Sequence, residues 1–243
     1  MATFGLLGKN LSHSFSKNYF EQFFLSKNLK HTYLNFDIQS VDAVKEILEK
    51  HSDLKGLNIT IPYKESILEH LYKIDKEAKN IGAVNTVKIS KKGNLVGYNT
   101  DHYGFAKSLA EHFPIKEKTA LILGTGGASK AVAYVLNSLN FQYKYVSRTK
   151  KEGAYTYDEI NEDIIQAHKL IVNCTPLGTS PNINNFPKIP YKGIGSKHLL
   201  FDLTYNPKLT VFLKLGKDQG AKIVNGESML IYQAKKSWEI WNS

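Results

Sequence analysis

The chain has 243 residues, 42% of them hydrophobic and 22% charged, an ordinary globular composition with room for one or two domains. A net charge of +10 invites a nucleic-acid reading, yet Arg148 is the only arginine and the lysines never run longer than two. Lysine lacks the planar fork that reads guanine, so no nucleic-acid partner is expected. No apolar run reaches the ~18 residues of a membrane span, and the single Cys174 excludes an intramolecular disulfide or a Cys-based zinc site.

In chain order, the first hundred residues alternate between strand and helix patterns. Phe4 to Gly8 reads as a short apolar strand, and Lys17 to Leu29 carries Tyr19, Phe20, Phe23 and Phe24 at helical spacing. Thr32 to Ile38 alternates like a strand. Val41 to His51 repeats Val44, Ile47 and Leu48 on one helix face, with Ser40 as N-cap. Leu57 to Ile61 is a strand and Ser66 to Ile74 a helix. Val84 to Ile89 and Leu95 to Tyr98 flank the turn residues Lys91 to Asn94, the mark of a hairpin. The pattern predicts a mostly parallel sheet with an antiparallel edge.

The second half restarts. Thr119 to Leu123 is an apolar strand, followed by Gly124-Thr125-Gly126-Gly127 and a helix from Ala128 to Leu139. Strands are expected at Phe141 to Val146, Leu170 to Asn173, Leu199 to Leu203 and Lys222 to Val224. Helices are expected at Lys208 to Gln219 and from Glu227 to Trp241, and a loop at Pro176 to Pro190. The aromatic tail around Trp238 and Trp241 reads as core packing of the last helix.

A strand, a glycine-rich turn and a helix form the context of a dinucleotide fingerprint. Gly124 permits the tight turn, and Gly126 lets the backbone approach a pyrophosphate at the helix N-terminus. Ser129 stands where the third glycine is usual. The same turn can also be a βα loop that binds nothing. The next strand ends in Ser147-Arg148-Thr149-Lys150-Lys151. An NAD site wants a carboxylate there. A guanidinium, a hydroxyl and two ammonium groups suit a 2′-phosphate instead, so the cofactor read from these residues is NADP.

In the first half, small polar groups gather near strand ends, at His13 to Ser16, Asn58 to Lys64, Gly82 to Thr86 and Gly97 to Asp101. Ligands of open α/β sheets bind beyond such ends. Hydroxyls, amides, one ammonium and one carboxylate suit a small polyhydroxylated ligand. Each group also has a plainer reading. Ser14 and Ser16 can cap a helix, Asp101 can be the N-cap of a helix starting at His102, Lys64 can be a solvated lysine and Asn85 a turn residue.

These segments, with Gly104, Gly124 to Ala128, Ser147-Arg148-Thr149, Asn173 to Pro176, Asp202 to Pro207 and Asn225-Gly226 through Ala234, resemble the shikimate dehydrogenases in order and over nearly the whole chain. The resemblance implies an oxidoreductase that reduces 3-dehydroshikimate to shikimate with NADPH, on the path to chorismate and the aromatic amino acids. It implies that Ser14 and Ser16, with Tyr205, hold the substrate carboxylate. Thr60, Asn85 and Gln233 then hold ring hydroxyls, and Lys64 and Asp101 handle the proton at the reacting oxygen. Either of that pair can be the formal acid.

Gly124, Thr125, Gly126, Gly127, Ala128, Ser147, Arg148, Thr149, Thr175 and Gly226 are the implied NADP contacts. The sequence departs from the family at Lys17, where proline is usual, and at Ser147, where asparagine is usual. It is also short after Thr149, so a shallower adenosine pocket is expected.

The expected architecture is α/β with two domains. Residues 1–101 and 226–243 form a substrate-binding domain, residues 102–225 a Rossmann-type NADP domain, and the active site is the cleft between them. A cytoplasmic monomer or homodimer is expected, since no signal peptide precedes the first strand. A quinate dehydrogenase, NAD use, and a non-catalytic anion- or nucleotide-binding protein are the alternatives. The last needs clustered basic residues that this chain lacks.

Overall fold

The computed structural model describes residues 1–11, 15–112 and 114–243. They form two compact units, Met1–Thr100 with Ala234–Ser243, and Asp101–Gln233. The second crossing falls inside the last helix rather than at its start near residue 226, because the aromatic end of that helix packs into the first unit's core.

The first unit contains β1 (Thr3–Gly8), α1 (Phe15–Ser26), β2 (Thr32–Asp37), α2 (Val44–Lys50), β3 (Leu54–Ile59), β4 (Lys73–Ile74), α3 (Lys76–Ile81), β5 (Thr86–Ile89) and β6 (Leu95–Tyr98). A 3₁₀ turn at Val41–Ala43 leads into α2, and Ser40 caps it by accepting from the Asp42 amide. The strand order is β2-β1-β3-β5-β6-β4. Because side chains alternate across a strand, Phe4 and Leu6 of β1 face α1 with its buried Phe20 and Phe24. Leu7 faces the other way, toward Val44 and Ile47 of α2.

Two expectations need correction here. The antiparallel strand is not at the edge. It is β5, paired antiparallel with both β3 and β6 in the sheet interior. The edge is β4, in a segment whose pattern predicts one helix over Ser66–Ile74. The chain there makes only a 3₁₀ helix, Ser66–His70. Tyr72 and Asp75 then donate to the Leu95 and Gly97 carbonyls, and Lys73–Ile74 pair parallel with β6. An unpaired β6 edge offers those backbone bonds, and local helix propensity does not outbid them. The short α3 has no sequence periodicity long enough to read. Its ends do carry the signals of a helix, an Asp75 N-cap and Gly82 at φ 71°.

The second unit contains α4 (Asp101–Ala110), β7 (Thr119–Leu123), α5 (Gly127–Ser138), β8 (Gln142–Ser147), β9 (Ala154–Thr156), α6 (Glu162–Ala167), β10 (Leu170–Asn173), β11 (Leu199–Asp202), α7 (Val211–Asp218), β12 (Lys222–Val224) and the first part of α8 (Glu227–Asn242), up to Gln233. All six strands are parallel in the order β12-β11-β10-β7-β8-β9. Read from β9, this is the doubly wound order whose direction reverses between β7 and β10. Ala120 and Ile122 face α4 and α5, while Leu121 and Leu123 face α6 and α7.

The sequence pattern does not show β9 or α6, which are short and polar. They keep a full crossover within the shortened stretch after Thr149. Helix α7 starts later than the sequence suggests, because Thr210 caps it and accepts from the Leu213 amide.

At the C-terminus, Trp241 is buried and stacks on Phe4 with ring centroids 4.8 Å apart. Its indole N–H donates to the Val87 carbonyl at 3.0 Å. A Cβ on Gly56 would stand 2.3 Å from that indole nitrogen, so the last helix seats only because Gly56 has no side chain. Gly56→Ala is expected to cost roughly 1–3 kcal/mol through overpacking. Thermal unfolding measures it, and an unchanged midpoint would contradict this seating.

Candidate active site

Four polar segments of the first unit meet at one edge of its sheet. β1, β3 and β6 run in one direction and end there, and β5 runs the other way and begins there, with Thr86 paired to Asn58 and Tyr98. Asn85 therefore joins the ends of β3 and β6 although it precedes a strand. Backbone bonds lock the edge. Ile59 donates to the Asn85 carbonyl at 2.8 Å, Asn85 to Tyr98 at 3.1 Å and Thr60 to Leu7 at 2.9 Å. The turn that carries Lys64 is held by the Val84 amide, which donates to the Lys64 carbonyl at 2.8 Å. Tyr63 anchors the same turn through a hydroxyl bond to the Ile38 carbonyl at 2.8 Å.

Thr60 and Lys64 are partly buried and follow β3 directly. Asn85 is buried, and its amide exchanges bonds with Thr100. The Thr100 N–H donates to Asn85 Oδ1 at 2.6 Å, and Asn85 Nδ2 donates to Thr100 Oγ1 at 3.0 Å. Ser16 lies in the first turn of α1. Ser14 lies outside the described residues. The structure thus brings Thr60, Lys64 and Asn85 to a common edge.

In the second unit the glycine turn follows β7. Gly124 has φ +104°, a conformation that favours glycine. Gly126 is the N-cap of α5, and a Cβ there would meet nothing within 4 Å. Open space before a helix N-terminus with exposed amides fits a pyrophosphate. Ser129 is fully buried and donates to the Gly126 carbonyl at 2.6 Å, which tightens the turn in place of the third glycine. Gly127 and Ala128 begin α5.

At the neighbouring end of β8, Ser147 is buried while Arg148 and Thr149 are exposed. The two ammonium groups that follow differ. Lys150 pairs with Glu159, and Lys151 donates to the Thr125 hydroxyl at 2.9 Å. Lys151 thus joins the β8 loop to the glycine turn.

Across the switch point, Thr175 follows β10 and donates to Asn173 Oδ1 at 2.6 Å. Its methyl would be 3.1 Å from a Cβ on Gly124, so the two loops touch. Gly226 has a backbone reason to be glycine, since a Cβ would lie 2.1 Å from the Leu203 carbonyl oxygen. Tyr205 is partly buried after β11. Asp101 is the first residue of α4 rather than its cap, and it is buried. Gln233 is buried on α8 and donates to the Leu230 carbonyl at 3.0 Å. Lys64 belongs to the first unit, and Asp101 and Gln233 to the second.

The substrate-binding domain of shikimate dehydrogenase matches residues 6–87. A shikimate dehydrogenase (NADP(+)) of Methanococcus aeolicus is 39% identical over 98% of this chain and 90% of its own length. This chain belongs to the shikimate dehydrogenase family. The solved shikimate dehydrogenase 1 of Peptoclostridium difficile superposes with a TM-score of 0.86 at 37% identity, covering 100% of this chain and 92% of that one. The Thermus thermophilus shikimate 5-dehydrogenase, solved with NADP(H) and shikimate, gives 0.87 at 31% identity, covering 99% and 93%. The family's two-domain α/β architecture is thus the one found here.

Sequence motifs assign no role to one polar group beside the Lys64 edge, although Asn58, Thr86 and Thr100 lie in the polar segments and only Tyr33 and Ser237 fall outside them. Tyr33, Asn58, Thr86, Thr100 and Ser237 are all buried and joined by hydrogen bonds. For Asn58 and Ser237 the signal is polarity at buried positions of β3 and α8, where apolar residues are expected.

Asp202, below Thr175, is the other buried polar centre. It accepts from Asn173 at 3.0 Å, from the Thr204 amide at 3.0 Å and from Thr210 at 2.6 Å. Burial nonetheless pushes its carboxyl up to about 6, against the pull of those donors. A raised carboxyl favours the fold while protonated and loses that contribution as pH rises through about 6. Asp202→Asn keeps the shape without the ionisation. Its stability relative to the parent is expected to rise from pH 4.5 to 7.5, by a few kcal/mol at most. Parallel pH-dependent melting curves would refute the buried ionisation.

Proposed function

We propose that this chain catalyses the reversible NADPH-dependent reduction of 3-dehydroshikimate to shikimate, a step toward chorismate and the aromatic amino acids. The observation that carries the reading is the polar edge of the first sheet, where the turn bearing Lys64 is bonded to the segment bearing Asn85. Relatives matched over nearly their full length support it.

In this reading Ser14, Ser16 and Tyr205 bind the substrate carboxylate, and Thr60, Asn85 and Gln233 bind its hydroxyls. NADPH, when bound, supplies the hydride. Charge then develops on the reacting oxygen. The Lys64 ammonium stabilises that charge and delivers a proton, and Asp101 orients the exchange and shares the proton. In the reverse direction the same pair takes the proton back.

The cofactor would lie on the second sheet, with its pyrophosphate on Gly124 to Ala128 and its adenosine end at Ser147 to Thr149, beside Thr175 and Gly226. The open space at Gly126 and the exposed guanidinium of Arg148 are the features that fit it. The unit of residues 1–100 with 234–243 would then act as the substrate domain, and residues 101–233 as the NADP domain.

Two variants test the reading. Lys64→Ala is expected to lower kcat by a factor on the order of 10²–10⁴ with little change in KM. Near-normal turnover would remove Lys64 from the chemistry. Arg148→Ala should raise KM for NADP by about tenfold or more while leaving NAD nearly unaffected, the loss of a charge-assisted contact to a 2′-phosphate. Equal effects on both cofactors would argue against NADP selection by Arg148. Assaying shikimate beside quinate, followed by nicotinamide absorbance, separates this activity from its nearest alternative.

A further inference from the structure

A chain of buried hydrogen bonds runs through the first unit from Tyr33 to Asn85. Tyr33 donates to Asn58 Oδ1 at 2.8 Å. The Nδ2 end of the same amide faces the Asn85 carbonyl at 3.4 Å, which can only accept, and it also donates to Ser237 Oγ at 3.0 Å and Thr86 Oγ1 at 3.3 Å.

Ser237 Oγ stands 2.8 Å from Thr86 Oγ1 and 3.2 Å from Thr100 Oγ1. Thr100 in turn holds both ends of the Asn85 amide. Ser237 and Thr100 are completely buried, and Asn58 and Asn85 nearly so. Burial also raises the Tyr33 phenol well above its ordinary value, which keeps it a donor.

Such a network is costly to bury and rigid once every member is satisfied. Apolar residues could fill this volume with less risk. It ends on Asn85, which the proposed function places on the substrate. We propose that Asn58 and Ser237 are positioning residues, which fix the Asn85 amide in the orientation that receives the substrate. This inference rests on the proposed role of Asn85. Asn58 is the hub, since its amide joins Tyr33 to Ser237, Thr86 and the Asn85 carbonyl. Ser237 brings the last helix into the same network and sets the Thr86 and Thr100 hydroxyls that face Asn85.

Steady-state kinetics of the full chain test this with Asn58→Ala, Ser237→Ala and Asn85→Ala. Ser237→Ala removes one hydroxyl and is the variant expected to fold even if Asn58→Ala does not. It should raise KM for shikimate about three- to tenfold and leave KM for NADP within twofold. Asn58→Ala should raise the shikimate KM further. In the Asn85→Ala background, Ser237→Ala should have no additional effect on that KM, because its action passes through Asn85. A merely structural role would lower the melting temperature and leave the shikimate KM unchanged, and that result for Ser237→Ala overturns the proposal. If Asn85→Ala raises the shikimate KM and Ser237→Ala does not, the positioning role fails and the role of Asn85 stands. If Asn85→Ala itself leaves it unchanged, both fail.

Discussion

Strand direction is the constraint that organises this molecule. Parallel strands joined by crossovers all end at one edge, so the loops that follow them are neighbours in space however far apart in sequence. In the second unit this rule places the glycine turn after β7, the Arg148 segment after β8 and Thr175 after β10 side by side. In the first unit it would have sent Asn85 to the wrong end of the sheet, because Asn85 precedes its strand. Reversing β5 inside the sheet brings it back. A single antiparallel strand thus places an amide beside the turn that carries a lysine.

The two sheets handle polarity differently. At the glycine-turn edge of the second sheet the polar groups are backbone amides and exposed side chains, with Gly126 leaving open space. At the other edge they are buried side chains that satisfy one another, from Tyr33 through Asn58 and Ser237 to Thr100. The first arrangement suits a large anion that brings its own hydration and charge. The second suits a small ring whose hydroxyls must be told apart, since a fixed donor or acceptor discriminates better than a mobile one.

The surplus of lysine follows the same logic of position. Most lysines add only a diffuse field that attracts anions. Lys64 and Lys151 are tied to the two edges by particular bonds. The carbonyl of Lys64 is bound by Val84, and the ammonium of Lys151 is bound to the glycine turn.

Local chemistry made much of this legible in one dimension. Apolar runs marked β1, β7, β10 and β11, and aromatic spacing marked α1. The glycine turn between β7 and α5 was legible too, because a tight turn and a helix N-terminus are encoded by adjacent residues. The motifs around Lys64 and Asn85 could be seen, but not their proximity. Strand β4, the place of β5 and the short pieces β9 and α6 were decided by tertiary pairing, since an open sheet edge draws in whichever backbone can satisfy it. Asn58 and Ser237 stand 179 residues apart in the chain and 3.0 Å apart in the fold. No local pattern joins them, because their bond exists only once the sheet and the last helix have packed and excluded water.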